Sequence, residues 1–121
     1  MISVVIGLGS NYGNRETNVK TAIEWLKTIL MEVKVSEIYK TPCALNSDKQ
    51  YVNAVVSGFY EGPGFQLDDI FKEKEHEMGR DSKARQRGDV PIDMDIVILN
   101  NEVIKDWDYR QKFFRIGYSQ L

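Results

Sequence analysis

Asp93 and Asp95 stand two residues apart in Ile92-Asp93-Met94-Asp95-Ile96-Val97-Ile98-Leu99. On an extended strand, residues two apart share a face. The two carboxylates therefore project together, beside a run too apolar to remain in water. Close and partly desolvated, they repel each other unless a cation neutralises them. Hard oxygen donors that leave room for water and phosphate suit Mg²⁺ rather than zinc. On spacing alone the pair reads equally well as the solvated start of a strand, because Asp-x-Asp is a short, common pattern.

Upstream, Arg80, Lys83, Arg85 and Arg87 fall in a stretch without apolar period. Alone, such a stretch is a solvated loop. Beside an acid pair that holds metal, a basic loop can close over a polyphosphate and stabilise the charge of phosphoryl transfer. Tyr51-Val52-Asn53 sets a ring and an amide on one strand face. That combination suits a flat heterocycle, although an ordinary sheet-surface pair is commoner. Gly7-Leu8-Gly9-Ser10-Asn11 lies between a strand and a helix but lacks the lysine of a phosphate loop and the third glycine of a dinucleotide fingerprint, so it reads as a tight turn. The single histidine, His76, lies on a charged helix face and reads as surface. The single cysteine, Cys43, excludes a disulfide framework and a four-cysteine zinc site.

The elements that must carry these residues follow from periodicity. Residues 2–8 form a β-branched, nearly continuous apolar run, a buried strand. Val19, Ala22, Ile23, Leu26, Ile29 and Leu30 recur at helical spacing over residues 15–30. Residues 32–40 alternate as one half-exposed strand stopped by Thr41-Pro42, and residues 43–50 form a polar loop. A strand over 51–60 ends at Gly62-Pro63-Gly64, and a helix over 65–78 is closed by Gly79. Trp25 and Phe71 fall towards the core. Residues 80–91 read as a long polar loop, 92–99 as a central strand, Asn100-Asn101 as a turn and Val103-Ile104 as a short return strand. Residues 106–121 show no pattern. The order strand, helix, strand, strand, helix, strand predicts an α+β fold: a ferredoxin-like split βαβ sandwich, with an antiparallel sheet of about four strands and two main helices on one face.

Composition bounds the function. The 121 residues are 42% hydrophobic and 28% charged, enough apolar material for a core, and are expected to form one domain over 1–121. Sixteen Lys and Arg against 18 Asp and Glu give a net charge of −2, which argues against a polycation for duplex nucleic acid. A partner-binding or RNA module built on the arginine stretch would need strand aromatics of the RNP type, and these are missing. No apolar run nears the ~20 residues of a membrane span, and the first residues lack the basic segment of a signal peptide. The expectation is a cytoplasmic protein, a monomer or weak dimer, with no nucleic-acid or membrane partner.

Five segments in order carry a resemblance: Gly7 to Arg15, Tyr39-Lys40-Thr41-Pro42, Tyr51-Val52-Asn53-Ala54-Val55, Glu75 to Arg80, and Ile92 to Ile96. Together they resemble the 6-hydroxymethyl-7,8-dihydropterin pyrophosphokinases of folate biosynthesis, a family of ferredoxin-like fold. The resemblance implies transfer of the pyrophosphoryl group of ATP to the hydroxymethyl group of the pterin, with release of AMP and with two Mg²⁺ ions. By position it makes Asp93 and Asp95 the metal-bridging pair, and Asp93, Asp95 and Arg80 the catalytic set. It places Glu75, Arg80, Arg85, Arg87 and Ile96 about the ATP, and Thr41, Pro42, Leu45, Tyr51 and Asn53 about the pterin. The chain departs from the family at its Gly-Pro-Arg motif: Asp89 stands for the proline and Val90 for the arginine, with Arg87 at the aromatic position. The histidine–proline and Arg-Pro-Phe segments after the last strand are also missing, leaving Phe113, Phe114 and Arg115 to supply a ring and a cation. Those losses keep a second reading open, a catalytically silent nucleotide- or pterin-binding or regulatory module.

Overall fold

A computed structural model describes residues 1–42 and 50–121. Strand β1 (Ile2–Ser10) leads into helix α1 (Arg15–Ile29), whose first turn is capped by the Asn14 side chain accepting from Thr17 N at 3.2 Å. Val19, Ala22, Ile23 and Leu26 form the buried stripe of α1. The expected strand over 32–40 arrives as two, β2 (Met31–Val35) and β3 (Tyr39–Pro42). Within β2, Glu32 takes φ 51, a left-handed conformation, and register shifts between Met31 and Lys34. The break itself falls after Val35. Ser36 then bonds Val55 in place of a regular ladder, its main-chain N donating to Val55 O at 2.9 Å and its Oγ accepting from Val55 N at 2.8 Å.

Strand β4 (Gln50–Tyr60) pairs antiparallel with β1, β2 and β3. Helix α2 (Gly64–Glu77) follows, with Leu67, Phe71 and Glu75 buried at successive turns. Residues 80–91 are not wholly loop, because α3 (Ser82–Arg87) occupies their centre. Asp81 caps it, its carboxylate accepting from Ala84 N at 2.9 Å, and Gly88 ends it at φ 73. Six residues are too few to show an amphipathic period. Strands β5 (Asp93–Leu99) and β6 (Glu102–Val103) complete the sheet, joined by Asn100 and Asn101, both at positive φ. The patternless tail folds as α4 (Asp106–Arg110) and α5 (Lys112–Tyr118).

Among the described residues the sheet runs β2-β4-β1-β5-β6, with β3 beside β2 on the same edge of β4. Counting β2 and β3 as one interrupted strand gives the ferredoxin-like split βαβ order, in an α+β architecture with six strands rather than about four. Helices α1 and α2 bury Val4, Ile6 and Leu8 of β1, Val52, Ala54 and Val56 of β4, and Met94 and Ile96 of β5. The opposite face is not bare. Phe114 of α5 packs there on Val55, Val97 and Ile98, and Tyr109, Phe113 and Tyr118 add to it. Among the described residues, no helix is long and apolar enough to cross a membrane.

Candidate active site

The site lies on the sheet face opposite α1 and α2, and its floor is made by missing side chains. Alternation on β1 sends Val4, Ile6 and Leu8 into the helix-packed core, leaving Gly7 and Gly9 on the other face. Antiparallel pairing sets Gly7 beside Asp95 and Gly9 beside Asp93 on one flank, and Gly7 beside Val55 and Gly9 beside Asn53 on the other. The segment read as a tight turn is thus the end of a strand. A Cβ on Gly9 would come within 3.1 Å of the Tyr51 ring. The hollow between the acids and the amide exists because neither position carries a side chain.

A cleft of about 190 Å³ fills that hollow. Asp93, Asp95 and Val97 form one wall, and Thr41, Pro42, Tyr51 and Asn53 the other. The tail closes the remainder with Trp107 and Asp108 of α4 and Phe113 and Phe114 of α5. Asn53 Nδ2 donates to Thr41 Oγ at 2.7 Å, which fixes the amide plane across the cleft. The rings of Trp107 and Phe113 lie 5.9 Å apart at 49°. Tyr39 holds the tail in place: its hydroxyl donates to Phe113 O and accepts from Gly117 N at 3.1 Å. Gly117 is needed for this approach, since a Cβ there would meet Val55 at 2.6 Å.

Asp93 and Asp95 do share a face, as two-residue spacing requires, and each has a cation. Arg80 Nη1 lies 2.8 Å from Asp93 Oδ1 and 3.1 Å from Glu75 Oε1. Lys105 Nζ lies 2.6 Å from Asp95 Oδ1. Burial, then the hydrogen bond and charge of Asp95, push Asp93 well above the usual carboxylate range despite Arg80. Burial acts on Asp95 in the same sense, but the bond from Asp93 and the Lys105 ammonium outweigh it and hold Asp95 below that range. The two carboxyls titrate as a pair rather than as independent groups.

Among the described residues no group of three or more His, Cys, Asp or Glu side chains is placed to hold a metal. Two adjacent carboxylates are an incomplete cage by themselves. That donor set fits Mg²⁺, which keeps several waters and takes its remaining ligands from substrate phosphates.

The other expected residues divide. Glu75 is 2% exposed and reaches the site indirectly, accepting from Met94 N at 2.7 Å and facing Arg80. Ile96 points its side chain into the core packed by α1 and α2, on the face away from the acids. Arg85 and Arg87 are exposed on α3, outside the cleft lining, and Arg87 Nε lies 2.7 Å from Asp89 Oδ2. Leu45 and Cys43 fall outside the described residues. Arg115 turns from the cleft onto the Tyr109 ring, 5.1 Å from its centroid. His76 is exposed, as expected.

Sequence reasoning missed Lys105, Trp107 and Asp108. Lys105 is aimed by a bulge. Ile6 pairs with Ile96 and Val5 with Ile98, so Val97 is an extra residue on β5. Its carbonyl accepts the main-chain N–H groups of Ile104 at 2.9 Å and Lys105 at 3.3 Å. Nothing local in the sequence signals this. Asn11 is a second unforeseen anchor: its N donates to Val90 O at 2.9 Å, and its Oδ1 accepts from Val90 N at 2.6 Å, pinning the segment before β5 to the end of β1.

Comparison with known proteins gives the chain a family and named relatives. The family model described as 7,8-dihydro-6-hydroxymethylpterin-pyrophosphokinase matches residues 5–117. A 2-amino-4-hydroxy-6-hydroxymethyldihydropteridine pyrophosphokinase of Bacillus subtilis is 34% identical over 103 residues, covering 83% of this chain and 61% of that protein. Its namesake from Aquifex aeolicus is 31% identical over 106 residues, covering 87% of this chain and 66% of its own length. A folate synthesis bifunctional protein of Arabidopsis thaliana is 34% identical over 106 residues, 85% of this chain and 22% of that protein. The chain therefore spans less than two thirds of the Arabidopsis and Bacillus proteins it matches. The matched stretch contains the glycine floor, the acid pair and the aromatic wall, and on that extent of agreement the chain belongs to the 7,8-dihydro-6-hydroxymethylpterin-pyrophosphokinase family.

Proposed function

We propose that residues 1–121 act as one pyrophosphokinase domain, transferring the pyrophosphoryl group of ATP to 6-hydroxymethyl-7,8-dihydropterin with release of AMP, a step of folate biosynthesis. The observation that carries this reading is the placement of Asp93 and Asp95 on one face, opening on a cleft whose far wall is Asn53, Thr41 and Tyr51. Acids at one end and an amide with rings at the other match a metal–triphosphate and a flat pterin. The substrate hydroxyl attacks the β-phosphorus, the bond from that phosphorus to the α,β-bridging oxygen breaks, AMP leaves with the electron pair, and the hydroxyl proton passes to solvent.

Asp93 and Asp95 would hold the two Mg²⁺ ions, whose charge lowers the barrier at the β-phosphorus. Arg80, steadied by Glu75, would turn from Asp93 to the phosphates once that carboxylate held metal. Arg85 and Arg87 reach the phosphates from the α3 side, Arg87 by exchanging Asp89 for a phosphate oxygen. Ile96, with its side chain in the core, meets the nucleotide through its main chain. Asn53 bonds the pterin, Tyr51 and Phe113 flank it, and Thr41, Pro42 and Leu45 complete the pocket with main-chain groups. Small molecules are the partners of this reading, and a cytoplasmic monomer or weak dimer is its natural form.

The deciding experiment is a coupled assay of AMP release with the hydroxymethyl-dihydropterin, ATP and Mg²⁺. Turnover that needs all three supports the assignment, and none beside an active control enzyme refutes it. A silent binding module is the second reading, favoured by Val90 at the family's arginine position and by acids already paired with Arg80 and Lys105. Calorimetric binding of the pterin or ATP analogue without product would select it.

A further inference from the structure

We propose that Lys105 is an exchangeable counter-cation of the acid pair, which makes the site favour a metal–nucleotide complex over a bare divalent ion. The inference rests on the metal-holding role proposed for Asp93 and Asp95 and goes beyond it.

The geometry is specific. The Lys105 ammonium stands 2.6 Å from Asp95 Oδ1, one of the two oxygens that Asp95 can offer a divalent ion. Its main-chain N–H is held by Val97 O at the bulge, which sets where the side chain starts. The carboxylate of Asp108, in the first turn of α4 and on the cleft wall, lies near enough for its charge to act on the ammonium. Lys105 therefore stays at the cleft after leaving Asp95.

A bare divalent ion on that oxygen displaces the ammonium and leaves it near Asp108 without its bond to Asp95. A metal-bound triphosphate brings oxygens that accept the displaced ammonium. The penalty falls on free metal and is largely returned when nucleotide arrives with it.

The test uses the full chain. Mn²⁺ binding is titrated calorimetrically for the parent, Lys105→Met and Asp95→Asn, with Mn²⁺ alone and with Mn²⁺ plus a non-hydrolysable ATP analogue. Lys105→Met should bind Mn²⁺ alone at least about tenfold more tightly, with no gain for the Mn²⁺–analogue complex. Unchanged or weaker Mn²⁺ binding, or equal gains for both, overturns the exchange. Asp95→Asn should lose Mn²⁺ binding. If it retains it, the metal reading of the acid pair fails and this inference fails with it, whereas a silent Lys105→Met beside an impaired Asp95→Asn sinks the exchange alone. Should Lys105→Met not fold, the parent with ¹⁵N-labelled lysine answers the same question. Its Lys105 ammonium resonance, assigned by Lys105→Arg, should shift in step with Mg²⁺ saturation, and a resonance unmoved at saturation overturns the proposal.

Discussion

Glu75 on α2 accepts the main-chain N–H of Met94, the residue between the two aspartates, at 2.7 Å. Strand β6 pairs only with Ile98 and Leu99, so it leaves the Met94 end of β5 without a strand on that side. A buried carboxylate takes the place of the missing strand. The same carboxylate faces Arg80 at 3.1 Å, so one side chain fixes both the acid strand and its cation.

Replacing Glu75 with alanine should destabilise the fold by about 1–3 kcal/mol, because it orphans a buried N–H and loosens Arg80. Glu75→Gln keeps an acceptor for Met94 and should lose less. Urea denaturation of the two variants measures the difference. Equal losses would show that the N–H bond is not what matters.

Asp95→Asn and Asp93→Asn should each lower AMP release by more than about a hundredfold. Stability should change little, because the lost ion pair with Arg80 or Lys105 offsets the relief of crowding between the two carboxyls. A variant that unfolds instead would mark the acids as structural. Steady-state turnover and thermal denaturation on the same samples separate the cases.

Gly9→Ala tests the floor of the cleft. Its Cβ would meet the Tyr51 ring at 3.1 Å, so the ring must shift, at a stability cost of about 1–2 kcal/mol. The KM for the pterin should rise several-fold while the KM for ATP changes little. An unchanged pterin KM would place the heterocycle elsewhere.

Tyr39 gives the pH dependence. Burial pushes its phenol up from 10.0 to about 12, against the bond from Gly117. The unfolded chain then loses this proton first. The contribution to stability is whole below pH 10.0 and declines as pH climbs towards about 12. Tyr39→Phe should remove that part of the alkaline slope, leaving a constant offset from the lost bonds to Phe113 and Gly117. Unfolding free energies of both proteins between pH 9 and 11 provide the check, and parallel curves would contradict it.

What the sequence showed, and what it hid, follows the range of the interactions involved. β1, α1, β4, α2 and β5 were legible because burial at a period of 2 or 3.6 leaves its mark within a dozen residues. The acid pair was legible for the same reason. Helices α3, α4 and α5 were not, being one or two turns long and held by caps and by contacts such as Gly117 on Val55. Glu75 was singled out by the family resemblance alone, yet it continues the buried stripe of Leu67 and Phe71. Only the packed sheet explains a carboxylate in that place. The roles of Gly7 and Gly9 depend on strand register, which no single segment contains.

The extra residue at Val97 changes the parity of its strand. Before it, odd positions present carboxylates to the cleft; after it, the even-numbered Ile98 turns to that same side and packs with the tail. One continuous strand thereby offers a polar half for ligands and a greasy half for α5. Deleting this one residue would leave Ile98 opposite Val5 in plain alternation with Ile96, but it would remove the carbonyl that tethers Ile104 and Lys105. Substitution by another β-branched residue would leave the count intact. For this chain the number of residues between Asp95 and Leu99 is a stricter requirement than their identity.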